Sequence, residues 1–251
     1  MDLRLTDRVY LVTGGARGLG RATAQVLVAE GARVVLSGRS AESLDEAVSA
    51  LGPSAVAVVA DNANPTTPAR LVAAARAHWG RLDGALVSVG GPPPGPVTAV
   101  TDAQWTEAFG SVFLGAVRLG REVVAELGDG GSLAYVLSTT ARVPLADMAL
   151  SNGLRPGLAM VAKTLADEVG PRGVRVNGLL PGRVATERVA ALDAAAGDAG
   201  AARESALAGI PLRRQGEPEE FGRVAAFVLS PAASFVSGSL IPVDGGALRA
   251  L

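Results

Sequence analysis

Residues 8–20, "RVYLVTGGARGLG", decide the fold. An apolar run, Val9 to Val12, gives way to a glycine-rich turn, and Ala22, Val26 and Ala29 beyond it stand at helical spacing. Glycines at 14, 18 and 20 allow a tight turn and a close approach to a pyrophosphate. A helix starting there adds free N–H groups and the positive end of its dipole. The spacing is TGxxxGxG rather than GxGxxG, and a plain strand-to-helix connection would also use glycines. What favours a dinucleotide is the position, at the first strand–helix junction of an alternating chain.

That alternation runs outward through the whole sequence. "ARVVLSG" (32–38), "SAVAVVAD" (54–61), "DGALVSVGG" (83–91), "GSLAYVLS" (131–138), "GVRVNGLLPG" (173–182) and "GSLIPVDGG" (238–246) complete a set of seven strands. Between them lie helical patterns, among them Leu71, Ala74 and Ala75, and Leu158, Val161, Leu165 and Val169. Nearly all-apolar strands separated by helices describe βαβ units covered on both faces. The expectation is a single doubly wound α/β Rossmann-type domain over 1–251, with a seven-stranded parallel sheet flanked by helices. No linker-like run and no internal repeat divides it. The least regular stretch, residues 191–209 within a segment 186–212, reads either as a mobile helical lid or as an Ala-rich surface helix pair with no gating role.

Composition removes several classes of function. A formal net charge of -1 supplies no basic face, so neither nucleic acid nor an anionic membrane is expected as a partner. With no cysteine and one histidine, His78, no thiolate or imidazole metal cluster forms within one chain, and the expected metal set is none. The opening "MDLRLTDRVYLVTGG" looks like neither a signal peptide nor a membrane span, which makes a cytoplasmic protein the default. Lys163 is the single lysine among 23 basic residues.

Several landmarks together resemble the short-chain dehydrogenase/reductase family over essentially the whole chain. They are TGxxxGxG at 13–20, Asp61 after the third strand, Ser138 at the end of the fifth, "RVNGLLPG" at 175–182, Thr186 and "VDGG" at 243–246. The resemblance implies that Asp61 and Asn62 flank an adenine and that Pro181, Gly182 and Thr186 line a nicotinamide. The cofactor set is then Thr13, Gly14, Arg17, Gly18, Leu19, Gly20, Arg39, Asp61, Asn62, Gly90, Arg155, Pro181, Gly182 and Thr186. Taken singly, Asp61 is equally a turn former and Asn177 a satisfied amide. The end of the second strand, "VVLSGRS", places Gly38 where a carboxylate would select a free ribose 2′-hydroxyl, and Arg39 follows it. With Arg17 on the same side, two guanidiniums favour NADP(H) over NAD(H), unless they simply face solvent.

In the resembled family a tyrosine, with a lysine four residues on, protonates the carbonyl oxygen, a serine holds it, and an asparagine supports a proton relay. Ser138 matches the serine. Counting back from "KTLADEVG" (163–170) places Ser151 in the tyrosine position and Arg155 in the lysine position; counting from Trp105 puts Val112 in the asparagine position. The only tyrosines, Tyr10 and Tyr135, lie in strand-like runs. The expected catalytic set is Ser138, Ser151 and Arg155, with water as proton source and Arg155 stabilising an alkoxide. In the plainer reading Ser151 caps its helix and Arg155 pairs with a carboxylate or lies against the cofactor without taking part in chemistry. His78 and Asp147 read as structural and solvated, and Arg213 with Arg214 as a solvated turn.

The resulting expectation is an NADP(H)-dependent oxidoreductase interconverting a carbonyl and an alcohol on a small-to-medium, largely apolar substrate. Two alternatives stay open: a non-redox enzyme performing dehydration, isomerisation or cyclisation, and a noncatalytic nucleotide-binding member. The helix from Leu150 and the C-terminal "GSLIPVDGGALRAL" suggest a homo-oligomer, a tetramer or dimer.

Overall fold

The computed structural model describes residues 1–195 and 199–249. Seven strands, β1 (Val9–Thr13), β2 (Arg33–Gly38), β3 (Ala55–Val59), β4 (Gly84–Val87), β5 (Ser132–Val136), β6 (Arg175–Pro181) and β7 (Leu240–Val243), form one sheet in the order β3-β2-β1-β4-β5-β6-β7. Every neighbouring pair is parallel. A parallel sheet needs its crossovers on both faces, and the strands are accordingly mostly apolar; β1, β4 and β5 have every residue buried.

On one face α3 (Thr67–Trp79), α5 (Gly115–Glu126) and α6 (Ala149–Val169) bury Leu71, Leu119, Val123, Leu158 and Leu165 against Leu11, Leu133 and Val176. On the other, α1 (Gly18–Ala29), α2 (Ala41–Leu51) and α9 (Pro218–Leu229) bury Leu27, Leu44, Phe221 and Leu229 against Val12, Leu36 and Leu179. Each such side chain contributes about 1.5–3 kcal/mol relative to exposure, which is what fixes the helices to the sheet. The two expected core tyrosines are here: Tyr10 and Tyr135 are buried, their hydroxyls directed to the carbonyls of Leu229 and Ala116 at 3.4 and 3.5 Å. Burial raises both phenols well above their ordinary pKa.

The helix preceding β5 is not continuous. Its first part, α4 (Asp102–Ala108), starts on a Thr101–Gln104 capping box and passes through a π turn, Phe109–Leu114, into α5. Trp105 packs against the cluster that holds Leu150 and Leu154. The segment after β6 forms α7 (Glu187–Ala195) and α8 (Ala199–Ala208); residues 196–198 of the expected lid lie outside the described residues. Lys163 lies on the outer side of α6, paired with Asp167 one turn on. Among the described residues no helix is long and apolar enough to cross a membrane, and no group of three acidic or histidine side chains is placed to hold a metal.

Candidate active site

Strand order reverses between β1 and β4, and a crevice opens beyond their carboxyl ends, as this topology requires. Thr13 clamps the two strand ends: its hydroxyl donates to the Ser88 carbonyl and accepts from the Ser88 N–H, each at 2.8 Å. The Thr13 hydroxyl is thus engaged with Ser88. The turn after it is drawn tight by glycine. Gly14 and Gly18 have positive φ, 60° and 52°, and a Cβ on Gly20 would lie 2.3 Å from the Gly14 carbonyl oxygen. The first N–H groups of α1 lack intrahelical partners and face this turn. Leu19 contributes only backbone there, because its side chain packs against the apolar core.

A cleft of about 650 Å³ runs from this turn along the sheet's carboxyl edge. Arg17, Gly38, Arg39 and Ser43 line one end; Asp61 and Asn62 line its middle; Gly90, Gly91 and Val112 line the other. Asp61 also turns the chain, accepting the Ala63 N–H at 2.9 Å. Arg17 is not free in solvent. Its guanidinium donates to the Ser43 hydroxyl at 2.7 Å and reaches Glu187 at 3.1 Å, linking the glycine turn to the first turn of α7. Thr186 lies beside the same turn, its methyl 3.5 Å from the β-position of Gly18. Pro181 and Gly182 are outside the cleft lining, and Gly182 backs onto Asp244 instead.

Behind Gly90, outside the residues that line the cleft, a chain of contacts links the end of β5 to α6. Ser138 leaves β5 extended and accepts the Thr140 N–H at 3.2 Å, while the Thr140 and Ser151 hydroxyls meet at 2.8 Å, buried. Ser151 does not cap α6, whose N-cap position is Met148; it lies inside the first turn and points its hydroxyl to Thr140. Arg155, one turn on and so on the same face, is 4% exposed. Its two terminal nitrogens donate to the carbonyls of Val136, at 2.8 Å, and Gly90. Among the described residues Arg155 pairs with no carboxylate, which removes one arm of the plainer sequence reading, and its buried Nε has no partner. Burial, with the Arg188 charge adding to it, pushes this guanidinium down to about 10, which leaves it a cation at neutral pH. Pro156 follows immediately inside α6, so the Asn152 carbonyl loses its helical donor next to the site.

Several residues went unseen in the sequence. Thr140 joins the hydroxyl chain, Glu187 and Arg188 project from the start of α7, and Gln104, Glu107 and Ser111 line the cleft. Only the α4–α5 group had a sequence signal, its place just before Val112. Val112 itself is 3% exposed in the π turn, an apolar wall rather than a relay. Asn177 holds the Val236 carbonyl at 2.9 Å and the Ser239 N–H at 3.1 Å, which makes it the satisfied amide. His78 is in the last turn of α3, which leads to the amino end of β4, away from the cleft. Arg214 is paired with Glu220, so it is not simply solvated.

Residues 14–247 match the family model described as enoyl-(acyl carrier protein) reductase. The chain belongs to the short-chain dehydrogenase/reductase family. Family relatives include an uncharacterized oxidoreductase of Methylorubrum extorquens, 34% identical over 97% of this chain and 98% of that one. An L-rhamnose 1-dehydrogenase (NAD(P)(+)) of Azotobacter vinelandii is 33% identical over 96% and 97%. Among solved structures, the chain is similar to L-sorbose reductase from Gluconobacter frateurii in complex with NADPH and L-sorbose. The TM-score is 0.94 at 29% identity, covering 100% of both chains. These matches support an oxidoreductase, and the parallel seven-stranded Rossmann-like fold is the one the family's solved members share.

Proposed function

We propose that the chain is an NADP(H)-dependent oxidoreductase that interconverts a carbonyl and an alcohol with Ser138, Ser151 and Arg155 in place of the usual set. The observation that carries this reading is the cleft itself. It joins a glycine turn too tight for a Cβ to an end lined by Arg17 and Arg39, with no carboxylate at Gly38. That combination suits a pyrophosphate and a ribose 2′-phosphate together. The L-sorbose reductase structure, which holds NADPH, supports the same choice. Gly14, Gly18, Leu19 and Gly20 would hold the diphosphate through backbone, Arg17 and Arg39 the 2′-phosphate, and Asp61 and Asn62 the adenine. Reduced nicotinamide supplies hydride when bound.

The chain's own part is to orient the carbonyl and stabilise charge. Ser138 and Ser151, tied through Thr140, offer hydroxyls to the carbonyl oxygen. Arg155 supplies a fixed positive charge behind them, stabilising the alkoxide as it forms, and water delivers the proton. An alkyl hydroxyl is too weak an acid to replace a phenol, and general acid catalysis is worth about 10²- to 10⁴-fold, so a slow reductase is the expected result. The Arg155 bonds to two backbone carbonyls favour a second reading, in which Arg155 is a structural strut and the chain binds a nucleotide without turning over.

NADPH oxidation with a panel of ketones, for wild type, Ser138→Ala, Ser151→Ala and Ser151→Tyr/Arg155→Lys, separates the two. The reductase reading expects turnover in wild type, a large loss in Ser138→Ala, a small one in Ser151→Ala and a gain in the double variant. Tight NADPH binding with no turnover in wild type or the double variant rejects it. A homo-oligomer, tetramer or dimer, accords with the bare apolar side chains of Met160 on α6 and Phe235, 67% and 104% exposed in the single chain. A monomer by light scattering at micromolar concentration rejects that part.

A further inference from the structure

Four arginines, one on the glycine turn and three in the segment after β6, differ in their partners: three are ion-paired and one is not. Arg17 pairs with Glu187, Arg183 with Asp193 and Arg214 with Glu220. Arg188 has no ion pair among the described residues; its one hydrogen bond runs from a terminal nitrogen to the Pro92 carbonyl. Its guanidinium lies over Gly91, with Nε 3.0 Å from where a Cβ on that glycine would stand. One residue earlier, the Gly90 carbonyl is held by Arg155, the buried cation that also has no carboxylate. The loop 90–92 is thus gripped by two uncompensated cations, Arg155 from the α6 side and Arg188 from the α7 side. Gly90 and Pro92 are two residues apart, so their Cα atoms lie within roughly 7 Å.

Two like charges held this close, one of them desolvated, repel each other and attract any anion that reaches them. A guanidinium has five N–H donors in a planar fork, and Arg188 commits one to Pro92, leaving the rest for a carboxylate. Arg155 shares a helix face with Ser151, and Arg188 reaches Pro92 from the start of α7, where its neighbour Glu187 pairs with Arg17 of the glycine turn; Gly90, Gly91 and Pro92 line the cleft. Glycine at 91 leaves room for the guanidinium, since any side chain there would collide with it.

We propose that Arg188, backed by Arg155 through the 90–92 loop, forms an anion subsite, and that the substrate is a carbonyl compound bearing a carboxylate. This rests on the reductase reading for the carbonyl and adds the charged end, which the apolar substrate expected from the sequence lacks. It gives the glycine at 91, the unpaired Arg188 and the departure of α7 from loop 90–92 one purpose: an acidic substrate bridges the lid to the sheet and holds the carbonyl near Ser138.

The test uses acetoacetate and ethyl acetoacetate as reducible probes, and butanoate and butanamide as probes that accept no hydride. Calorimetric titration into the NADPH-saturated chain is expected to show butanoate bound and butanamide at least tenfold weaker, as for loss of a charge-assisted hydrogen bond. Arg188→Gln should weaken butanoate by about tenfold or more, raise KM for acetoacetate but not for its ethyl ester, and leave NADPH affinity within twofold; Arg188→Lys should recover part of the butanoate binding. Equal binding of butanoate and butanamide, or no binding of either, overturns the subsite. An Arg188→Gln loss falling on NADPH as heavily as on butanoate overturns it too, assigning Arg188 to the cofactor's phosphates. Arg188-dependent butanoate binding without any carbonyl reduction leaves the subsite standing and removes the reductase reading.

Discussion

The two ends of the cleft are built from different materials. At the glycine-turn end the working surface is backbone: N–H groups of α1, two positive-φ glycines, and a Gly20 that touches Gly14. At the α6 end it is side chains: Ser138, Thr140, Ser151 and Arg155, joined by hydrogen bonds. A backbone site tolerates almost no substitution, because every atom added meets a main-chain atom. A side-chain site exchanges one donor for another while the helix and strand that carry it stay put. The departure from the family pattern that we propose for this chain, Ser151 and Arg155, lies at the second end, where such exchange is cheap.

The largest expected effect breaks the first end. Gly20→Ala puts a methyl 2.3 Å from the Gly14 carbonyl oxygen, and the turn must open to hold it. NADPH affinity measured by fluorescence should fall beyond detection while the far-ultraviolet circular dichroism stays close to wild type. Next comes the second end. Arg155→Ala removes the charge offered to the alkoxide and should lower kcat by about 10²- to 10³-fold, with Arg155→Lys intermediate. The pH profile separates charge from strut. Burial holds the guanidinium near 10, so wild-type turnover should persist through neutrality and decline as pH climbs through about 10. A buried lysine loses its proton earlier, which should move the decline in Arg155→Lys to lower pH. An identical profile for both would make Arg155 a strut.

A smaller effect sharpens cofactor choice at the first end. Arg39→Asp should weaken NADPH by about tenfold or more and narrow or reverse the preference over NADH, as titration of both would show. The smallest concerns the link between the glycine turn and α7. Glu187 and Arg17 are 73% and 61% exposed, and a pair so open to water is worth about 0.2–1 kcal/mol. Glu187→Gln should therefore tighten NADPH by no more than a few-fold, by freeing Arg17 for a phosphate, and the gain should vanish at high salt.

The same division decided how much was legible in the sequence. Strand runs, parallel layering and the glycine turn depend on local pattern, and they appear where "RVYLVTGGARGLG" and its successors put them. Ser151 and Arg155 were placed on one helix by counting back from KTLADEVG through the family resemblance, and both lie in α6. What spacing did not carry was partnership. Whether Ser151 caps or bonds Thr140, and whether Arg155 meets a carboxylate or two carbonyls, depends on β5 and loop 90–92, over ten residues away in sequence. Nor did spacing carry the Thr13 hydroxyl's partner, Ser88, 75 residues on. Arg188 gave no signal because its meaning lies in the absence of an acid nearby in space.

The lone Lys163 on the outer side of α6 has a use of its own. Every other basic side chain is arginine, so an acetylating reagent finds one ε-amine in the entire sequence. That amine is half exposed in the single chain, eight residues and about 12 Å along the helix from Arg155. If α6 is covered by a second copy, mass spectrometry after brief labelling should find Lys163 protected at high protein concentration and modified on dilution. A single mass shift then reports assembly, with no engineered tag.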